Sequence, residues 1–235
     1  ITLLERAIAI RPSFATAYQW LGTDTMMAGN PAAGLAALDR ASELDPRSLV
    51  VANNRGYVLL TLGRVADARA TCERVLAFAP DYRGCQIIVA FAELLRGDPE
   101  AARPFLHAIA RTGDGSALPL VDEVVDALAG QGDRRTAAQR LAAYTGRSSL
   151  DPTSGNIFAT GETPAMLVLL GAPDLALDYL ERSVDEPESN ATPPEWSMML
   201  PTLDPIRCTP RFKALVERLK TRDPRAATVC EDGTK

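Results

Sequence analysis

The sequence predicts an all-α protein, a solenoid of stacked helical hairpins, because three markers share one period. Pro12, Pro46 and Pro80 recur every 34 residues, each closing a similar phrase: Ala-Ile-Ala-Ile-Arg-Pro12, Ala-Ser-Glu-Leu-Asp-Pro46 and Val-Leu-Ala-Phe-Ala-Pro80. Gly29, Gly63 and Gly97 keep the same step, as do Gly22 and Gly56, with Ala90 in the third place. A period of this size marks one helix–turn–helix unit, too small to bury its apolar face alone and therefore stacked on its neighbours.

Residues 1–12 read as an amphipathic helix, the second helix of a unit whose first helix is absent, so the natural protein is expected to be longer. The first complete unit carries Tyr18, Leu21, Gly22, Thr25, Gly34, Leu38, Ala41 and Pro46. The second carries Ala52, Asn54, Gly56, Leu59, Ala68, Cys72, Val75 and Pro80. Gly22 and Gly56 let the paired helix approach, because a side chain there would hold the backbones apart. Gly29, Gly63 and Gly97 fall where the first helix ends and a left-handed residue is wanted. Asn30-Pro31 and Asp98-Pro99 pair a capping side chain with a proline in the first helical turn.

The third unit has Val89, Ala90, Ala102, Leu106 and Ile109, but Asp114 replaces its closing proline. Pro104 lies inside its second helix and is expected to kink it. A fourth unit, shifted by one residue, runs through Val124, Gly132, Ala137, Leu141 and Tyr144. A fifth, irregular unit follows with Gly171, Ala176 and Leu180, and between them residues 145–164 match poorly. Last comes Thr209-Pro210, a cap and first-turn proline opening a helix with Phe212, Leu215, Val216 and Leu219 on one apolar face.

The pattern resembles the tetratricopeptide repeat (TPR), a unit of ~34 residues with a small residue where its helices touch and a proline after the second. The resemblance implies a right-handed superhelix over residues 1–183, of about five units, closed by a capping segment over 184–222 and a polar tail over 223–235. The phrase from Leu200 to Leu219 is similar to the closing segment of repeat regions in bacterial signalling proteins, among them winged-helix regulators, nucleotide cyclases and protein kinases.

Bulk properties narrow the function. A net charge of −5 and no basic cluster beyond Arg134-Arg135 argue against a nucleic-acid surface, which needs grouped Lys and Arg. Only Lys213, Lys220 and Lys235 are lysines, and the wealth of arginine and alanine suggests a GC-rich bacterial genome. The longest apolar stretch, near Ala165–Leu170, falls far short of the ~20 residues of a membrane span.

No enzyme is expected, and neither a cofactor nor a metal. His107 is the only histidine, expected on the surface or half-buried, and no G-x-S-x-G nucleophile motif is present. Gly113-Asp-Gly-Ser lacks phosphate-loop spacing and reads as a turn. Asp185-Glu186 with Glu188 reads as a solvated linker, and Asn190-Ala-Thr192 as a chance glycosylation sequon. The four cysteines leave two alternatives open. Cys72 with Cys85 and Cys208 with Cys230 is the most local pairing and would place the chain in an oxidising compartment, the periplasm of a bacterium. Otherwise Cys72 is a small core residue and the thiols stay free in the cytoplasm.

The resemblance places a partner groove on the first helix of each unit, at positions two, five, nine, twelve and thirteen. Those are Thr16, Gln19, Thr23, Met26 and Met27, then Val50, Asn53, Tyr57, Leu60 and Thr61, then Ile87, Phe91, Leu94 and Leu95, with Asp122 and Asp126 in the fourth unit. The set lacks Lys and Arg, and is apolar with amide hydrogen-bonders, turning acidic at its end. It suits a protein or peptide segment that is apolar, with a basic end. Tyr57 and Phe91 are the expected anchors, with Asn53 setting register. A second reading is a ligand-sensing regulatory domain of a winged-helix regulator or cyclase.

Overall fold

The structure is a computed structural model that describes residues 1–111, 116–145, 162–185, 198–219 and 230. All regular structure among the described residues is helical: α1 (Thr2–Ile10), α2 (Ala15–Met27), α3 (Pro31–Leu44), α4 (Leu49–Thr61), α5 (Val65–Leu76), α6 (Arg83–Leu95) and α7 (Pro99–Arg111). Next come α8 (Leu118–Leu128), α9 (Arg134–Thr145), α10 (Thr163–Leu169) and α11 (Pro173–Asp185). A 3₁₀ turn (Pro201–Leu203), α12 (Asp204–Arg207) and α13 (Pro210–Arg218) follow. The chain divides into two compact units, Ile1–Ala92 and Glu93–Lys235.

Within the first unit, consecutive helices pack in pairs: α1 on α2, α2 on α3, α3 on α4 and α4 on α5, with α2 also touching α4. In the second unit α7 packs on α8, α8 on α9 and α10 on α11. This adjacent-helix packing is that of a helical-repeat protein.

One turn geometry recurs along the chain. Gly29 has φ +86°, its N–H donates to the Met26 carbonyl at 2.8 Å, and the Asn30 N–H donates to the Thr25 carbonyl at 3.0 Å. That pair of bonds satisfies carbonyls the helix end leaves open, and it needs a left-handed residue, which glycine adopts without strain. Gly63, Gly97, Gly130 and Gly171 repeat both bonds with φ between +73° and +79°. The fourth turn glycine is thus Gly130, not the marker Gly132, whose missing Cβ would lie 3.1 Å from the Ala127 nitrogen.

The caps lie where the sequence puts them. Asn30 Oδ1 accepts from the Ala33 N–H at 3.1 Å, Asp98 Oδ1 from Ala101 at 3.0 Å and Thr209 Oγ1 from Phe212 at 3.3 Å. Ser48 and Asp133 cap α4 and α9 in the same way. Pro104 sits in α7, which continues to Arg111 with the proline exposed, so it costs a backbone bond without ending the helix.

Small residues set the closest contacts. A Cβ at Gly22 would lie 2.9 Å from the Gly34 carbonyl oxygen, and one at Gly34 would lie 2.6 Å from the Gly22 oxygen. The backbones of α2 and α3 therefore meet directly. At Gly56 a Cβ would meet Ile88 Cγ2 at 3.1 Å and Cys72 Sγ at 3.2 Å, which fixes α4 against α5 and α6. Cys72 joins Cys85 in a disulfide, and Cys208 joins Cys230. Both cysteine pairs stand at disulfide distance, as an oxidising environment permits.

Arginines tie neighbouring helices. Arg55 on α4 donates to Asp39 on α3 at 2.6 Å and to the Thr71 hydroxyl on α5 at 2.5 Å. At the C-terminal end, Arg211 and Arg218 on α13 reach Asp178, Glu181 and Asp185 on α11. Among the described residues Arg207 is the largest fully buried side chain: it donates to Asp204 and to the Leu200 carbonyl, each at 3.0 Å, and its guanidinium stacks 5.3 Å from the Phe212 ring.

Candidate functional site

The groove read from the sequence separates into a buried floor and an accessible rim. Position nine supplies Thr23, Tyr57 and Phe91, which are 4, 8 and 2% exposed. Position twelve supplies Met26, Leu60 and Leu94, also buried. These residues belong to the buried core. Phe91 and Tyr57 are therefore not surface anchors. Thr23 spends its hydroxyl on the Trp20 carbonyl at 3.0 Å, and Thr61, also buried, donates to the Tyr57 carbonyl at 3.2 Å. Gln19 is buried, whereas Met27 and Leu95 are half-buried.

The rim consists of position two and, except for the buried Gln19, position five. Thr16 and Val50 are exposed, and Asn53 and Ile87 are half-buried. Val50 and Asn53 lie one turn apart on α4, and Gly84 and Ile87 one turn apart on α6, so each pair shares a helix face. The two pairs are joined where the Asn53 carboxamide lies over Gly84: a Cβ on Gly84 would overlap the Asn53 oxygen. Asn53 Nδ2 donates to Asn54 Oδ1 at 3.3 Å, which orients the amide. Val50, Asn53 and Ile87 thus lie on neighbouring helix faces within the first unit, linked through the Asn53–Gly84 approach.

The acidic end is partly engaged within the fold, although the Asp122 and Asp126 side chains remain 46 and 44% exposed. In the second unit Arg103 on α7 donates to Asp122 at 2.7 Å and to Asp126 at 2.5 Å, besides pairing with Glu100. His107, expected on the surface or half-buried, is half-buried, with Nε2 2.7 Å from Asp122 Oδ1. Burial pushes the Asp122 carboxyl up, but the bonds from Arg103 and His107, with their charge, outweigh it and hold the group below the ordinary carboxylate range. Both aspartates are structural ties between α7 and α8.

An exposed tryptophan escaped the sequence reading. Trp20 is 54% exposed, yet the residues 34 and 68 positions later, Asn54 and Ile88, are only 8% and 2% exposed. Ile88 seats on Gly56 of the preceding first helix. Trp20 therefore occupies a stacking position and not the rim. The 34-residue alignment already carried the signal, since it matches Trp20 with a position that is covered elsewhere.

Among the described residues, no group of three or more His, Cys, Asp and Glu is placed to hold a metal, and no helix is long and apolar enough to cross a membrane. The turn at Gly113–Gly115, Glu186 and Glu188, the Asn190–Thr192 sequon and all of the polar tail except Cys230 lie outside the described residues. No protein-family model matches the chain, and no curated protein matches it.

Proposed function

We propose that the chain is a tetratricopeptide-repeat module, a right-handed superhelix whose C-terminal helix α13 caps the stack, and that it is a scaffold and not an enzyme. Its partner is a protein or peptide segment of apolar character. The module belongs to a larger bacterial signalling or assembly protein working in the periplasm, a placement supported by the two disulfides.

One observation carries the binding reading. Val50 is 49% exposed on the same helix face as Asn53, and Asn53 lies directly over Gly84 of the next first helix. An apolar side chain beside an amide suits an apolar extended or helical segment: Val50 and Ile87 take its side chains and Asn53 bonds its backbone. The basic end read from Asp122 and Asp126 concerns the second unit, where Arg103 shares one positive charge among both aspartates and Glu100 and leaves a net negative cluster.

A library of displayed peptides selected on the full chain tests this. Apolar sequences should be enriched, and Val50→Glu or Asn53→Ala should weaken their binding about tenfold or more, the size of a central contact. Failure to enrich any sequence, or equal binding by both variants with helicity intact, would refute the scaffold reading.

A further inference from the structure

The two disulfides occupy opposite environments. Cys72 and Cys85 are each 0% exposed, and their bond joins α5 to α6 beneath Gly56, with Cys72 Sγ only 3.2 Å from where a Gly56 Cβ would stand. No thiol reaches that bond unless α4, α5 and α6 separate. Cys208, by contrast, is exposed in the short link between α12 and α13, and its partner Cys230 is half-buried. Exposed disulfides exchange readily, whereas buried ones are inert.

The link around Cys208 is also held without its sulfur. Arg207, one residue before, is anchored inward on Asp204, the Leu200 carbonyl and the Phe212 ring. Thr209, one residue after, caps α13 and donates to the Ile206 carbonyl at 2.7 Å. Phe212 and Leu215 are buried, and Arg211 bonds Asp178 at 2.6 Å and Glu181 at 2.7 Å. None of these contacts passes through the Cys208 side chain.

We propose that Cys208 is a thiol-exchange site, at which a dithiol reductant opens the Cys208–Cys230 bond in the folded protein while Cys72–Cys85 stays closed. A thiolate of the reductant attacks the Cys208 sulfur, forming a mixed disulfide and expelling the Cys230 thiolate. The second reductant thiol then attacks that mixed disulfide, closing its own ring and releasing the Cys208 thiolate. Two protein thiols are gained, one protein disulfide is reduced and the dithiol is oxidised by two electrons. Covalent closure between α12 and Cys230 thereby becomes reversible without unfolding either unit. The inference is independent of the partner-binding reading.

The test exposes the native full chain to graded dithiothreitol, quenches with iodoacetamide and maps labelled cysteines by mass spectrometry beside circular dichroism. Cys208 and Cys230 should be labelled about a hundredfold or more faster than Cys72 and Cys85, with helicity unchanged, because the buried pair awaits an opening of the fold. In Cys230→Ser, Cys208 should be alkylated with no reductant present. Equal labelling of both pairs, loss of helicity in step with Cys208 labelling, or a Cys208 in that variant that resists alkylation until denaturant is added would each overturn the proposal.

Discussion

Replacing Gly34 by alanine should destabilise the first unit, although alanine is normally the better helix former. In an exposed helix the change would stabilise by about 1 kcal/mol. Here the new Cβ would stand 2.6 Å from the Gly22 carbonyl oxygen and 3.1 Å from the Met26 nitrogen. An ordinary contact begins near 3.4 Å, so the helices must part by about 0.8 Å, and both obstructing atoms are backbone. No rotamer change relieves that clash. Separation would also loosen Met26, Leu38 and Ala41, each 0% exposed around this contact. Overpacking of a tight interior costs about 1–3 kcal/mol, and a backbone clash belongs near the top of that range. Subtracting the propensity gain leaves a net loss of about 2 kcal/mol. Urea unfolding of the full chain followed by circular dichroism gives the size of the loss, and hydrogen exchange of the α2 and α3 amides shows where it falls. A Gly34→Ala protein as stable as the parent, or more so, would refute the direct meeting of the two backbones.

Two further outcomes concern the second unit. Arg207→Ala should cost about 2–5 kcal/mol, because it empties a site whose side chain is 0% exposed, while Arg207→Met, which keeps the volume, should cost less; thermal scans of both variants check the order. Acid should weaken this unit through Asp122 and through Glu181, which Arg211 holds below its ordinary range against a smaller upward push from burial. Each folded-state pKa is depressed, so the stabilisation is complete above the unfolded value near pH 4 and is lost as pH falls through the folded value. Stability measured at pH 5 and pH 3 should therefore fall less in Asp122→Asn than in the parent.

What the sequence made legible was local. A left-handed glycine, an Asn-Pro or Asp-Pro start and a small residue at a helix contact each act within one turn, so Gly29, Asn30 and Gly22 could be placed from their neighbours alone. Contacts across helices were legible only where a small residue or a cysteine pair marked them, as at Gly22, Gly56 and Cys72–Cys85. Arg103 meets Asp122 and Asp126 from 19 and 23 residues away, and nothing in either segment marks the pairing. The same holds for Arg207, whose burial depends on Phe212 folding back over it. Reading Asp122 and Asp126 as the acidic end of a groove counted their charges without Arg103, the partner they share.

Accessibility posed the harder problem, and the repeat itself resolves it. Residues one period apart share a geometry, so a difference in exposure between them reports the neighbour and not the residue. Trp20 is open where Asn54 and Ile88 are closed because, among the described residues, no first helix precedes α2. Val50 cannot be explained in that way. Helix α4 has α2 on one side, and α6 on the other through the Gly56–Ile88 and Asn53–Gly84 contacts, yet Val50 remains 49% exposed. Its exposure is therefore not the result of a missing neighbouring helix. An apolar side chain that stacking leaves uncovered, held beside an amide already fixed in direction, is therefore the feature of the first unit to which a partner's recognition is best assigned.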